Sequence, residues 1–393
     1  MENTKLNFND TATAYADRTN FELRKARSLF RLFSFKPLVD AGGSMTELAL
    51  KMRLPVKPLV KYTIFDQFVG GRTLRECEKN IDRLARYGVE TILDYGVEAK
   101  HSEIEYDRTK EQILEQIDFV RTKDNVRIIA IKITGLGRFG LFQKIHEDQP
   151  LTEHQQEEFS RVFDRVNDIC KAAAEADMEL FIDAEETWIQ KPLDDLVDQM
   201  MALYNKTKPV VYNTFQLYRH DRLDFLKVSH DKAQQLGYIL GAKLVRGTYM
   251  EKERNRALQM GYPSPIHENK EAVDKDYNEA LEYCLNHMDN ISFCCATHNE
   301  DSCKYLAELI LQKGVNRRHP HVFFSQLYGM GEHITFNLAK ADYRVTKLMP
   351  YGPVQDAVPY LVRRAQENSS VDGQVGRELA LIEKEMRRRG MRI

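Results

Sequence analysis

The sequence lacks several features that would place it in a specialised class of protein. Its 57 Lys and Arg residues nearly balance 59 Asp and Glu residues, so a net charge of −2 provides no field that attracts nucleic acid. No run approaches the ~18 consecutive apolar residues of a membrane-spanning helix. The first residues contain no basic stretch leading into an apolar core and are not Arg-rich, so we expect neither a secretion signal nor a transit peptide. We therefore expect a cytoplasmic protein.

Cysteine is scarce, and its spacing suits neither disulfides nor zinc. The six cysteines form no C-x-x-C pair. Cys294 and Cys295 lie in the apolar run 291–297, which is typical of a buried strand. His319 and His321 could begin a metal site, but no clear third ligand accompanies them, so we predict no metal. We expect free thiols and a reducing compartment.

The composition is that of an ordinary globular protein, with 42% apolar and 30% charged residues over 393 positions. Short apolar runs rich in β-branched residues recur, and an amphipathic stretch follows each. Apolar strands separated by helices indicate a parallel sheet covered by helices, here a (βα)8 barrel of the TIM type. A doubly wound open sheet is the alternative. The predicted strands are 90–94, 127–134, 180–183, 210–214, 242–246, 292–297, 322–326 and 344–349.

The barrel is predicted to occupy residues 61–375, with helices at both ends of the chain. Residues 1–60 form an N-terminal helical segment, in which 46–52 has the apolar spacing of a helix. Residues 376–393 form a C-terminal helical tail. Because one polybasic turn binds anionic lipid weakly, the basic residues 387–392 predict a solvated tail rather than a membrane anchor.

One predicted helix between strands carries a clear start signal. It covers residues 151–176 and is opened by Thr152, with Gln155 three residues later. This spacing predicts a capping box, in which each side chain bonds the backbone N–H near the other.

Polar residues close several of the predicted strands, where the active site of a barrel lies. Lys132 and Asp183 each interrupt an apolar run, and buried charges are costly unless paired. We therefore predict a Lys132–Asp183 pair, with Glu185 and Glu186 as further partners. A purely structural salt bridge is the alternative.

The run 241–249 ends a strand with two cations. Alternation along a strand places Lys243 on one face and Arg246 on the other. Cations at a strand end suit a phosphate or an electron-rich ring. The alternative is pairing with Glu251 and Glu253.

Residues 135–140 match the G-x-G-x-x-G pattern of dinucleotide-binding folds. The next predicted strand begins at Leu180, too far away for a compact βαβ unit of about 30 residues. A glycine-rich loop over the active site explains the same pattern.

Adjacent arginines, Arg363 and Arg364, lie in a predicted short helix, 359–368, with Pro359 in its first turn. Their side chains diverge by about 100° around the helix, so both reach one ligand only if the helix crosses a pocket mouth. The planar guanidinium is the usual partner of a carboxylate. Surface pairing of Arg363 with Glu367 is the alternative.

Taken together, these segments resemble the proline dehydrogenase family, whose members are flavoenzymes built on a distorted (βα)8 barrel. The resemblance covers roughly residues 60–370 and is nearest to the short, single-function type. It also implies a C-terminal helix over the barrel mouth. The matching blocks are 130–137, 182–186, 243–249, 296–299, 326–331 and 360–368.

The resemblance implies FAD-dependent oxidation of L-proline to 1-pyrroline-5-carboxylate. Electrons would pass to a quinone, with peripheral membrane contact. Arg363 and Arg364 would clamp the substrate carboxylate, and Lys132 with Asp183 would form a charged pair beside the ring. The residues implied to pack around the ring are Tyr249, Leu327 and Leu348. The residues implied to line FAD are Gln216, Lys243, Val245, Arg246, Gly247, Thr248, Thr297, His298 and Asn299.

The chain departs from the family at Leu348, fifteen residues before Arg363, where the family commonly has a tyrosine packed on the substrate ring. Relatives that prefer 4-hydroxyproline place a smaller polar residue there. Leucine matches neither pattern, so 4-hydroxyproline stays as the alternative substrate. A lyase that forms a Schiff base through Lys132 is the alternative of another class.

Overall fold

The structure is a computed structural model that describes residues 6–34, 61–95, 102–370 and 374–393. The predicted helix at 46–52 lies outside the described residues.

Eight parallel strands form one closed barrel in the order β1 to β8. The barrel prediction is confirmed, and the open sheet is wrong. The strands are almost entirely buried, as expected of a sheet covered on both faces. They are β1 Val89–Tyr95, β2 Ile128–Ile131, β3 Glu179–Ile182, β4 Val211–Gln216, β5 Leu240–Val245, β6 Ile291–Ala296, β7 Val322–Leu327 and β8 Val345–Tyr351.

Helices alternate with the strands and also flank them. The predicted capping box is confirmed, because the N–H of Gln155 donates to Thr152 Oγ1 and the N–H of Thr152 donates to Gln155 Oε1. The helices are α1 Thr11–Ala14, α2 Asn20–Phe33, α3 Asp66–Phe68, α4 Leu74–Ala85, α5 Glu103–Val120, α6 Phe139–His146, α7 Glu153–Glu175, α8 Thr187–Tyr204, α9 Arg222–Leu236, α10 Met250–Met260, α11 Lys270–Asn286, α12 Glu300–Gln312, α13 Glu332–Lys340, α14 Val354–Ser370 and α15 Gln374–Arg388.

One helix boundary differs from the prediction. Helix α14 begins at Val354, so Pro359 lies inside the helix and not in its first turn. Pro359 has no N–H to donate to the carbonyl one turn earlier, and flanking turns carry the helix through this position.

The chain divides into two compact units, which we describe separately. Unit 1 comprises Met1–Glu98 with Gln326–Ile393, and unit 2 comprises Ala99–Ser325. The domain boundaries at residues 60 and 375 stay a prediction.

An aromatic layer fills part of unit 2. The Phe181 ring centroid lies 5.1 Å from that of Tyr212 and 6.1 Å from that of Phe323. Glycine is needed at position 241, because a Cβ there would lie 2.3 Å from the Val211 carbonyl oxygen. The same layer borders the charged strand ends, since Lys243 Nζ lies 5.4 Å from the Phe181 centroid.

Unit 1 has its own apolar cluster, to which α2, α14 and α15 contribute Phe30, Leu361 and Ile382. The C-terminal tail is part of this unit. Arg389 donates to the backbone oxygens of Tyr15 and Arg18, at 2.7 Å each. Arg387, Arg388 and Arg392 are exposed, in line with the predicted solvated tail, whereas Arg389 is half-buried because its guanidinium satisfies these carbonyl groups near the N-terminus.

Among the helices of the described residues, none is both long and apolar enough to cross a membrane.

Candidate active site

At the strand ends of unit 2, one carboxylate lies between two lysines. Lys132 Nζ lies 3.5 Å from Asp183 Oδ2, and Lys243 Nζ lies 2.6 Å from Asp183 Oδ1. The predicted Lys132–Asp183 pair is therefore formed, but Lys243 is the closer partner. We call these three residues the Asp183 cluster.

Sequence analysis did not predict that Lys243 pairs with Asp183, and the strand register explains why. Lys243 of β5 lies opposite Thr214 of β4, and Ile182 of β3 lies opposite Asn213 of the same strand. Asp183, the next residue along, is thus brought to the level of Lys243 across one intervening strand. That match depends on the stagger of the barrel, which the spacing of residues along the chain does not reveal.

The two ammonium groups keep Asp183 ionised. Burial raises the pKa of this carboxyl, but Lys243 and Lys132 outweigh burial, and the pKa lies below its ordinary value. The cluster is not sealed, because 25% of the Lys132 side chain and 17% of the Asp183 side chain stay exposed. It can therefore meet a ligand at the strand ends.

A second carboxyl, Glu185, lies two residues beyond Asp183 and is buried. It accepts the hydroxyl of Thr134 at 2.5 Å and the Thr134 N–H at 3.1 Å. Burial raises the pKa of Glu185 to about 7, although the Thr134 hydrogen bonds and Lys132 oppose that shift. The sequence analysis named Glu185 only as a partner for Lys132.

The remaining acidic residues near this site are occupied elsewhere. Glu186 pairs with Lys252, and Glu253 accepts the N–H and the hydroxyl of Thr187 at 2.8 and 2.6 Å. The alternative prediction, in which Lys243 and Arg246 pair with Glu251 and Glu253, was wrong, because these cations pair with Asp183 and Asp274.

Arg246 lies on the opposite face of β5 from Lys243, as alternation predicts. Its guanidinium pairs with Asp274 of α11 at 2.6 Å and donates to Thr297 Oγ1 at 2.7 Å. Thr297 Oγ1 also accepts the N–H of Asn299 at 3.1 Å, and Asn299 Oδ1 caps α12 by accepting the Ser302 N–H. Sequence analysis missed Asp274, which lies on a helix remote from the strand motifs.

Several unit 2 features suit a cofactor such as FAD, which carries hydrogen-bond donors and anionic phosphates. The Oε1 atom of Gln216 is buried and has no hydrogen-bond partner, so it can accept from a ligand. At Gly247, where φ is +135°, a Cβ would lie 2.4 Å from the Tyr218 ring, so only glycine fits. Lys243 and Arg246 already pair with Asp183 and Asp274, so the free Oε1 of Gln216 is the feature here that fits a hydrogen-bond donor of FAD.

The other predicted residues of unit 2 differ in exposure. Thr248 is exposed, whereas Val245, Tyr249 and His298 are half-buried. Tyr249 also forms the N-cap position of α10.

Unit 1 holds the remaining predicted substrate contacts. Leu348 of β8 is 7% exposed, and Leu327 packs against the apolar cluster of this unit. On α14, Arg364 is buried with its guanidinium 5.3 Å from the Tyr360 ring centroid, and Arg363 is half-buried. The alternative pairing of Arg363 with Glu367 involves a side chain outside those described.

Sequence analysis did not single out Lys347, a third lysine of the barrel. Lys347 of β8 is fully buried, and its ammonium donates to the carbonyls of Leu327 and Met330. Its Nζ also lies 3.3 Å from Glu332, whose other oxygen pairs with Arg18 at 2.8 Å. We call Lys347, Glu332 and Arg18 the Lys347 cluster.

The six cysteines are all buried, and none of them forms a disulfide. Within the described ranges, no group of three or more His, Cys, Asp or Glu side chains is arranged to hold a metal ion.

Comparison with known proteins identifies consistent relatives. A family model described as "Proline dehydrogenase" matches residues 77–377. "Proline dehydrogenase 1, mitochondrial" of Dictyostelium discoideum is 29% identical to this chain, covering 99% of this chain and 76% of its own length. "Hydroxyproline dehydrogenase" of Xenopus laevis is 30% identical, covering 98% of this chain and 90% of its own length.

Solved structures show the same fold. The chain of proline utilization A from Bdellovibrio bacteriovorus, "inactivated by N-propargylglycine", superposes with a TM-score of 0.72 at 19% identity. The match covers 95% of the present chain but 38% of that one, so the present chain spans little more than a third of that protein.

Proposed function

The chain belongs to the proline dehydrogenase family, and on that premise we propose that it oxidises L-proline to 1-pyrroline-5-carboxylate with FAD as its cofactor. The observation that carries the proposal is the Asp183 cluster, which stands partly exposed at the strand ends with its carboxylate ionised.

FAD would be held by unit 2. The free Oε1 of Gln216 would accept a hydrogen bond from the cofactor, and Lys243 and Arg246 would face its anionic or electron-rich parts. The other residues proposed to line it are Val245, Gly247, Thr248, Thr297, His298 and Asn299. When bound, FAD would supply the two-electron acceptor for the reaction.

The Asp183 cluster would act on the substrate amine. A proline amine must lose its proton before its lone pair can assist oxidation of the neighbouring carbon. Lys132 and Lys243 together carry one more positive charge than Asp183 balances, and nearby positive charge disfavours an ammonium ion. The cluster would therefore favour the neutral amine while Asp183 accepts a hydrogen bond from it.

The substrate carboxylate would be bound by Arg363 and Arg364. Two planar guanidinium groups can form paired hydrogen bonds with one carboxylate and so orient the imino acid. Tyr249, Leu327 and Leu348 would contact the apolar part of the ring.

The substrate is proposed to be L-proline because Leu348 is apolar and 7% exposed, and so offers no partner to a ring hydroxyl. The Xenopus laevis hydroxyproline dehydrogenase is a relative of similar identity, so 4-hydroxyproline is the second candidate. The Asp183 carboxylate, 3.5 Å from Lys132 Nζ, favours the charged ammonium of Lys132, whereas a Schiff-base lyase needs the neutral amine.

We also propose a quinone as electron acceptor, with peripheral contact to the inner face of a cytoplasmic membrane. The support is the family membership, which implies an acceptor for the electrons of proline.

The test is an anaerobic titration of the purified protein with L-proline and, separately, with 4-hydroxyproline. We expect flavin absorbance in the purified protein and bleaching at lower concentrations of L-proline. Bleaching by 4-hydroxyproline alone would reverse the choice of substrate, and a colourless protein that does not take up FAD would refute the proposal.

The variant Arg363→Met tests whether this arginine binds the substrate carboxylate. We expect a steep rise in KM for L-proline with FAD still bound, because one half of the carboxylate clamp is lost. Arg161→Met is the control, because Arg161 pairs with Glu103 between two outer helices of unit 2. An unchanged KM in Arg363→Met would remove this arginine from the site.

A further inference from the structure

Neither the proposed chemistry nor the family resemblance assigns a role to Glu185. It is 4% exposed and lies in the loop after β3, two residues beyond Asp183. Three neighbouring elements hold it, and each contact involves a different group of the same residue.

The first contact joins the ends of β2 and β3. The Glu185 carboxyl accepts both the hydroxyl and the N–H of Thr134, which lies two residues beyond Lys132. Thr134 sits in a short 3-10 helix, Ile133–Gly135, that begins directly after Lys132. The carboxyl therefore fixes the segment from which Lys132 projects.

The other two contacts fix Glu185 itself. Its N–H donates to Gln190 Oε1 on α8 at 2.8 Å, and its carbonyl accepts from Gln216 Nε2 on β4 at 3.2 Å. Gln216 is the residue whose Oε1 is free to accept from a cofactor. One residue thus connects the segment of Lys132, the strand end of Asp183 and the amide of Gln216.

The charges around Glu185 make its own ionisation consequential. Lys132 faces it from the end of β2, Glu186 lies beside it, and Lys243 acts through Asp183. The neighbours from α8 and β4 are uncharged amides. Lys132, Lys243, Asp183 and Glu185 sum to zero when Glu185 is ionised and to one positive charge when it is protonated.

We propose that Glu185 is a positioning residue that holds Lys132 and Gln216 in place and, through its own charge, sets the electrostatic balance of the Asp183 cluster. This inference rests on the proposed function. Its pKa of about 7 places the change of charge within the neutral range.

Two variants separate the charge of Glu185 from its hydrogen bonds. Glu185→Gln removes the charge but keeps an oxygen for the Thr134 N–H and an amide for its hydroxyl. Thr134→Val removes the hydroxyl, keeps the side-chain shape and leaves the charge. Asp198→Asn is the control, because Asp198 is a buried carboxyl of α8 with a raised pKa that pairs with Lys232 of α9, away from the strand ends.

The measurement is the pH dependence of kcat/KM for L-proline, alongside FAD content. We expect an inflection near pH 7 in the unaltered protein and in Asp198→Asn, and none in Glu185→Gln. Because the Thr134 hydroxyl lowers the pKa of Glu185, Thr134→Val should move the inflection to higher pH. Thr134→Val should also raise KM by about three- to tenfold through the loosened Lys132 segment, with FAD content unchanged.

An infrared pH titration of the carboxyl band tests the same inference without substrate turnover. The difference between the unaltered protein and Glu185→Gln should show one carboxyl titrating near pH 7. Titration near the ordinary glutamate pKa of 4.5 would overturn the inference, as would an inflection in kcat/KM that survives in Glu185→Gln. If L-proline does not reduce the unaltered protein, the proposed function fails while the infrared result still stands on its own.

Discussion

The Asp183 cluster and the Lys347 cluster place the same chemistry, strand lysines and a carboxylate, in two different environments. Lys132 and Asp183 keep 25% and 17% of their side chains exposed. Lys347 and Glu332 keep 0% and 6%. The first cluster can exchange its partners for a ligand at the strand ends, whereas the Lys347 and Glu332 side chains of the second are almost entirely buried.

The Lys347 cluster is also held more completely by protein groups than the Asp183 cluster. The Lys347 ammonium donates to two backbone carbonyls and forms an ion pair with Glu332, so protein groups surround its charge where it lies. Its bonds to Leu327 and Met330 join β8 to the last residue of β7 and to the loop that follows. A lysine within an apolar strand is therefore a functional candidate only when its environment leaves room for a ligand.

Replacing Lys347 is expected to have the largest effect on stability. Lys347→Met leaves Glu332 buried beside Arg18 alone and removes the ammonium donor from the Leu327 and Met330 carbonyls. We expect the free energy of unfolding to fall by about 3–5 kcal/mol, measured by chemical denaturation.

Lys25→Met provides the matched control in unit 1. Lys25 pairs with Asp66 at 3.0 Å, but the two side chains are 28% and 40% exposed, so a change below about 1 kcal/mol is expected. Equal losses in the two variants would contradict the distinction between sealed and open pairs.

Replacing Asp183 should instead affect catalysis. Asp183→Asn leaves two ammonium groups without their shared anion and replaces the ionised acceptor proposed for the substrate amine with a weaker, neutral amide oxygen. We expect kcat/KM for L-proline to fall by about 100-fold, measured as the rate of anaerobic flavin bleaching. The unfolding free energy should fall by less than in Lys347→Met, and a loss of activity below about tenfold would contradict the proposed role of Asp183.

The pH dependence of the unfolding free energy tests how burial and nearby charge act on the Glu185 and Asp183 carboxyls. The Glu185 carboxyl has a pKa of about 7 when folded and 4.5 as its ordinary value, so the folded state binds this proton more tightly. Its stabilising contribution is complete below about pH 4.5 and is lost as pH rises through 7, a change of about 3 kcal/mol.

Denaturation of Glu185→Gln should therefore show a flatter dependence of unfolding free energy on pH between about 4.5 and 7 than the unaltered protein. Asp183 shifts in the opposite direction, since its pKa is lowered, so Asp183→Asn should flatten the curve only at pH values below the ordinary aspartate range. An identical pH curve for Glu185→Gln and the unaltered protein would contradict the assigned burial of this carboxyl.

Much of the fold followed from local signals. Each of the eight predicted strands overlaps an observed one, because an apolar run between two amphipathic stretches suits only a strand buried on both faces. The start of α7 was predicted from Thr152 and Gln155, since a capping box involves only near neighbours along the chain.

The site was predicted less completely, for physical reasons that differ from residue to residue. Lys132 and Asp183 were found because each stands out within an apolar run. The closer partner, Lys243, depends on strand stagger, and Asp274 lies on a helix that packs against Arg246 from outside its strand. Lys347 has the same local signature as Lys132 but the opposite environment.

The sequence by itself determined the closed barrel, the family and the pairing of Lys132 with Asp183. Hydrophobic periodicity and helix caps depend on residues a few positions apart, and each family motif is a run of consecutive residues. Only the tertiary structure decided which charged groups share a neighbour and which of them water or a ligand can reach. Both properties arise from strands and helices far apart in the chain, and their effect on a pKa or a free energy depends on distance and burial rather than on residue order.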